Sequence, residues 1–122
     1  MSRETIRQAF KSAVESVYEG QIYTSRITDN RDDDEYISIY IEGGEHARNF
    51  SGIETEARIT VSFYKKQPAE DSELDQVVDP IIDLIPGFPA VLSEVKNPLL
   101  ESFGYESDGK HNGISHTFRV IY

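Results

Sequence analysis

The chain has 122 residues, 38% of them hydrophobic, which is one ordinary domain spanning 1–122 with a modest core. Its 22 acidic residues against 12 basic ones give a formal charge of −10, so free association with DNA, RNA or an anionic membrane surface is opposed electrostatically. Cysteine is absent, which excludes disulfides, thiolate nucleophiles and cysteine-based zinc sites, and no apolar run reaches the roughly 18 residues of a membrane span. The start MSRETIRQAF lacks the apolar stretch of a signal peptide, so the protein is expected to work where it is made, and the Asn49-Phe50-Ser51 sequon carries no weight.

Ile6, Ala9, Phe10, Ala13, Val14 and Val17 recur at helical spacing, with Ser2 placed to cap the start and Gly20 the end. QIYTSRI at 21–27 predicts a short strand. YISIYIE at 36–42 predicts a firmer one, since Ile37, Ile39 and Ile41 alternate with Tyr36, Ser38 and Tyr40. Residues 43–52, GGEHARNFSG, have three glycines and no period and predict a long mobile loop. Alternation returns at 53–64 through Ala57, Ile59, Val61 and Phe63.

Leu74, Val77, Val78, Ile81, Ile82 and Ile85 mark a second apolar helical stripe, opened by a capping-box pattern at Ser72 and Asp75. Pro80 lies inside it and predicts a kink or interruption. Residues 86–98 carry three prolines and predict a connector with at most a short turn of helix. The chain closes with a hairpin, LLESFGYES, a turn DGKHNG and ISHTFRVIY. The fold class is α+β, in the order α-β-β-β-α-β-β, with a mostly antiparallel or mixed sheet of about five strands and two main helices packed on it.

Several chemical motifs come close and fail on context. The run from Gly104 to His111 has the glycine and lysine spacing of a phosphate loop, but His111 replaces the magnesium-binding hydroxyl and a strand follows where a helix is needed. His111-Asn112 lacks the following helix of a small nuclease, and Asn112-Gly113 reads better as a hairpin turn. His46 and His111 fall in predicted loops and His116 on a strand, too scattered for a metal triad, and His116 reads as a packed strand residue. The acidic run DNRDDDEY, Asp29 to Tyr36, lacks the glycine and the glutamate that a calcium loop needs at its sixth and twelfth positions and reads as a solvated turn between strands. The residues compose no catalytic set and call for no cofactor or metal.

Charge is ordered on the helices. Arg3, Arg7 and Lys11 fall every four residues along one flank of the first helix, and Asp71, Asp75, Asp79 and Asp83 do so on the second. Aligned like charges cost a few tenths of a kcal/mol per pair, roughly, so a stripe of opposite sign is expected beside each. The partner is the other helix of the same chain or that of a neighbouring subunit. A contact of the second kind is heterologous, and repeated by rotation it closes a ring.

The segments QPAEDSELDQVVDPIIDLIPGFP, YIEGGEHARNFSG and GYESDGKHNGISHTFRVIY resemble the lambda-type phage minor tail protein U family, the tail terminators of long-tailed bacteriophages. The resemblance runs in order along nearly the whole chain and is most specific at Asp71-Ser72-Glu73-Leu74-Asp75. It implies a non-enzymatic structural protein without a cofactor. Its members form a homo-hexameric ring on the finished tail tube, stop polymerisation of the major tail protein and present the other face to the head–tail connector. The subunit or tube interface is then expected to involve Arg3, Arg7, Lys11, Arg48, Phe50, Asp71, Glu73, Asp75 and Asp79. The protein is expected in the host bacterial cytoplasm during assembly and then at the head-proximal end of the virion tail, with some acidic residues lining a channel for DNA. A neck or head-completion protein, an acidic DNA mimic that inhibits nucleases and a small-molecule enzyme are the alternatives.

Overall fold

A computed structural model describes residues 3–25, 33–49 and 52–122, and of residues 47–49 and 52–53 the backbone. The order is α1 (Arg3–Glu15), β1 (Gln21–Tyr23), β2 (Glu35–Asn49), β3 (Gly52–Lys66), α2 (Asp71–Leu84), a 3-10 turn (Ile85–Gly87), α3 (Pro89–Glu94), β4 (Lys96–Ser107) and β5 (His111–Ile121). One five-stranded mixed sheet, β1-β2-β3-β5-β4, is antiparallel except where β1 runs parallel to β2.

The sheet buries one face because its three central strands alternate in step. Ile37, Ile39 and Ile41 of β2 stand opposite Phe63, Val61 and Ile59 of β3, which in turn face Ile114, His116 and Phe118 of β5. The period of two therefore puts a continuous apolar surface on one side. The amphipathic helices close over it: Ile6, Phe10, Ala13 and Val14 of α1, and Leu74, Val78, Ile81 and Ile82 of α2. Phe10 and Phe118 meet edge to face with ring centres 5.8 Å apart. On the opposite face the same register lines up hydroxyls, with Ser62 and Ser115 2.7 Å apart and Thr60 and Thr117 3.0 Å apart.

Several sequence expectations need correction. Residues 43–52 do not form a long loop: β2 and β3 continue as a paired arm to Asn49 and Gly52, past a register shift between Ile41 and Gly43. Pairing is a property of the backbone and needs no side-chain period, so the glycines hid it. A Cβ on Gly44 would collide with the Glu56 carbonyl oxygen and the Ala57 Cα, so the close approach of the arm requires a glycine there. Pro80 does not interrupt α2, which is continuous from Asp71 to Leu84. The residue preceding that helix is Glu70, with no side-chain cap bond, so Ser72 and Asp75 form no capping box. Val17 lies beyond α1 and is exposed, while Tyr18 turns inward instead and packs its ring against Phe63.

The last hairpin turns at the start of the DGKHNG segment, four residues before Asn112-Gly113. Gly109 has a φ of +85°, and the Asp108 carboxylate accepts bonds from the Lys110 and His111 N–H groups, so Asp108 rather than Asn112 makes the turn. His111 is consequently not a loop residue but a fully buried strand residue. A carbonyl can only accept, so the 2.8 Å contact with the Asp33 oxygen places a proton on His111 Nε2.

His116 is a packed strand residue, as its alternation indicated. It lies against Phe103 with ring planes 22° apart, and its Nδ1 has no protein partner. Burial pushes its pKa below the usual imidazole value, partly opposed by Asp79 and Asp75. Protonation is therefore easier in the unfolded chain, and stability present above the ordinary value of 6.5 is lost as pH falls through the depressed one. Two outcomes follow for denaturant unfolding. Phe118→Ala should lower stability by about 3–5 kcal/mol, because its ring is at the centre of the core. His116→Phe should reduce the loss of stability between pH ~7.5 and ~5.5 relative to the parent chain.

Candidate assembly surfaces

Helices placed side by side on a sheet inherit the strand order beneath them. α1 packs against β2 and α3, whereas α2 packs against β3 and β5, so the two helices sit toward opposite edges of the sheet. Among the described residues no ion pair joins α1 to α2, which removes the same-chain partner expected for the two charged stripes. Instead, each stripe is partly answered locally. On α1, Arg7 pairs with Glu4 at 3.1 Å and Lys11 with Glu15 at 3.7 Å. On α2, Glu73 pairs with Lys65 of β3 at 3.3 Å, and Asp75 accepts from the Tyr105 hydroxyl of β4 at 2.7 Å. Pairs this exposed contribute only about 0–1 kcal/mol each.

Between the start of α1 and the β2–β3 arm lies a cleft of about 290 Å³. Arg3, Arg7 and His46 bring positive or protonatable groups to it, and Ile41, Ala57 and Gly44 form part of its wall. His46 lies on β2, not in a loop, and is held through Nδ1 by Thr55 Oγ1 at 2.8 Å across the arm. Lys11 lies farther along α1, by a groove with Glu15, Tyr18 and Gln21. Of the remaining expected residues, Arg48 has only its backbone described, paired with Ile53, and Phe50 lies outside the described residues.

One edge of the sheet is β4, whose outer side pairs with no strand among the described residues. Leu99, Leu100, Phe103 and Tyr105 are all substantially exposed there, and Phe103 most of all at 64%. An exposed edge strand with large apolar side chains is a template for another chain. Hydrophobic periodicity does not single these residues out. Their one visible signal was apolar residues standing on both faces of LLESFGY, which a strand buried on a single side would not show. Asp71, Asp75 and Asp79 border this edge from α2, and together they act on Tyr105. The bond to Asp75 holds the hydroxyl proton, desolvation adds to this, and the neighbouring carboxylates push in the same direction, raising the Tyr105 pKa to about 12.

At the described end of the acidic run Asp34 is solvated, its side chain 95% exposed, while its neighbours Asp33 and Glu35 are held by tyrosines. Residues 29–32 lie outside the described residues, but Tyr23 donates to Asp33 at 2.8 Å and Tyr18 to Glu35 at 2.9 Å. Burial and the Glu35 carboxylate raise the Tyr18 pKa. Among the described residues, no three His, Asp or Glu side chains group as metal ligands.

No curated protein matches the chain. Among solved structures, a chain from the virion of a native gene transfer agent particle matches at 14% identity with a TM-score of 0.73, covering 94% of this chain and 92% of that one. At that identity the likeness shows a shared fold. The family model described as phage minor tail protein U matches residues 1–122, the whole length, and with it the pattern of one structural domain is accounted for: the chain belongs to the phage minor tail protein U family.

Proposed function

We propose that the protein is a tail terminator: a homo-hexameric ring that caps the finished tail tube, ends polymerisation of the major tail protein and offers its other face to the head–tail connector. The full-length family match carries the reading. The match to a chain of a gene transfer agent virion agrees with it. So does the presence of two different surfaces, the cleft beside α1 and the β4 edge, because one surface meeting a different one on the next copy is the heterologous contact that closes rings. The mechanism needs no chemistry. One face of the ring copies the docking surface of a tube ring, and the other withholds the surface that the next tube ring would need.

The sheet face without helices is suited to line the channel. Its central hydroxyls at Ser38, Thr60 and Ser62 are buried beneath longer neighbours, while Ser115 and Thr117 are half-buried and Glu106 accepts from Tyr64 and Ser115 at its surface. The cations of this face, Arg58, Lys66 and Arg119, each stand beside a carboxylate, Glu101, Asp34 and Glu56, so a DNA backbone meets no unpaired cation among these three. Assembly would take place in the host bacterial cytoplasm and leave the ring at the head-proximal end of the tail.

Native mass spectrometry with and without purified tail tubes tests the role. A hexamer that caps tubes and blocks their extension is expected, whereas a monomer without tube affinity, or a ring that binds only the portal side, sinks it. Phe103→Glu tests the edge: it should weaken ring formation by about tenfold or more while leaving the thermal melt of the protomer nearly unchanged, since the side chain is mostly solvent-exposed.

A further inference from the structure

The molecule carries a charge of −10, yet one cleft on it gathers cationic groups. Arg3 makes no ion pair among the described residues, Arg7 shares its charge with Glu4 alone, and His46 stands across the opening on the arm. Guanidinium groups held at the mouth of a small cleft recognise carboxylates well, because the planar fork matches two oxygens at once. A group of carboxylates fixed on a helix lies by the β4 edge of the sheet, where Asp71, Asp75 and Asp79 border the aromatic pair Phe103 and Tyr105. Asp79 is exposed and makes no hydrogen bond or ion pair among the described residues.

We propose that the Arg3–Arg7–His46 cleft is the receptor for the Asp79 region of a second copy of this chain, and so forms one half of each ring contact. The inference rests on the ring reading and assigns its subunit contact. Three features select this occupant. The signs are opposite, and each surface adds apolar groups to its charges: Ile41 and Ala57 in the cleft, Phe103 and Tyr105 beside the carboxylates. Both surfaces lie on the helix-covered side of the sheet, Ile41 and Ala57 being on its apolar face and Asp75 reaching Tyr105 of β4, so one copy meets the next without being turned over. The cleft is built on α1, β2 and β3 and the acidic surface on α2 and β4, so each copy has one of each and can serve as donor and receptor at once.

The test exploits that polarity. R7E and D79R, each alone, should raise the protomer concentration for half-maximal ring assembly by about tenfold or more at low salt, since each places like charges across every contact. Mixed in equal amounts they should assemble again as alternating rings. In such a ring the glutamate of R7E meets the arginine of D79R at one contact, and the native pair meets at the next. Assembly is read by native mass spectrometry, and fold by thermal melting. Should R7E melt below its parent, R3E takes its place in the same mixing experiment, its position being exposed at the first residue of α1. Variants that assemble like the parent, or folded variants that stay apart when mixed, overturn the pairing and leave the ring reading intact. A parent chain that never forms a ring overturns the ring reading itself.

Discussion

The structure depends on the register that places β2, β3 and β5 in step. Once Ile37 faces Phe63 and Phe63 faces Ile114, every second residue of three strands lies on one surface, and both helices must settle there to cover it. A slip of one residue in any pair would turn Ile59, Val61 and Phe63 to water and bring Thr60, Ser62 and Tyr64 against Phe10 and Leu74. The hydroxyl ladder on the other face reinforces the same register, since Ser62 and Thr60 bond directly across to Ser115 and Thr117. One geometric condition thus produces a core on one side and a polar face on the other.

That one-sidedness explains why charge can be sorted along the molecule. With both helices confined to a single face, α1 lies toward β2 and α2 toward β5. Among the described residues no ion pair joins the two charged stripes, and their partners are local. The local pairs, Arg7 with Glu4 and Glu73 with Lys65, soften the repulsion within each stripe without removing it.

The elements that a single sequence reveals are those that bury side chains periodically. The helical stripes through Phe10 and Ile81 and the alternation through Ile39 and Val61 each correspond to a surface pressed against another surface, and these were legible. The β2–β3 arm was not, because beyond Ile41 it is held by main-chain pairing with little side-chain burial, and main-chain pairing leaves no mark on residue type. The last turn was misplaced because Asn112-Gly113 and Asp108-Gly109 are both good turn pairs, and only the bonds from Lys110 and His111 to Asp108 decide between them. Pro80 was over-read: it sits on the exposed side of α2, where its missing donor costs the helix a bond but places no clash in the core. Of the candidate site, the charged stripes were visible as spacing. The contribution of His46 to the Arg3 and Arg7 cleft was not, since it depends on an arm the sequence disguised as a loop.

The short β1 has a further consequence. Among the described residues it pairs with β2 only at Tyr36, Ile37 and Ser38, and none pairs with the outer edge of β4 at the other end of the sheet. A protomer built this way is adhesive at both ends and would be prone to polymerise as soon as it is made. Its ten surplus negative charges act against that, because like copies repel before their edges meet. The balance makes association a matter of concentration and salt: in dilute, low-salt solution repulsion keeps copies apart, and crowding them together or screening their charge lets the edges meet.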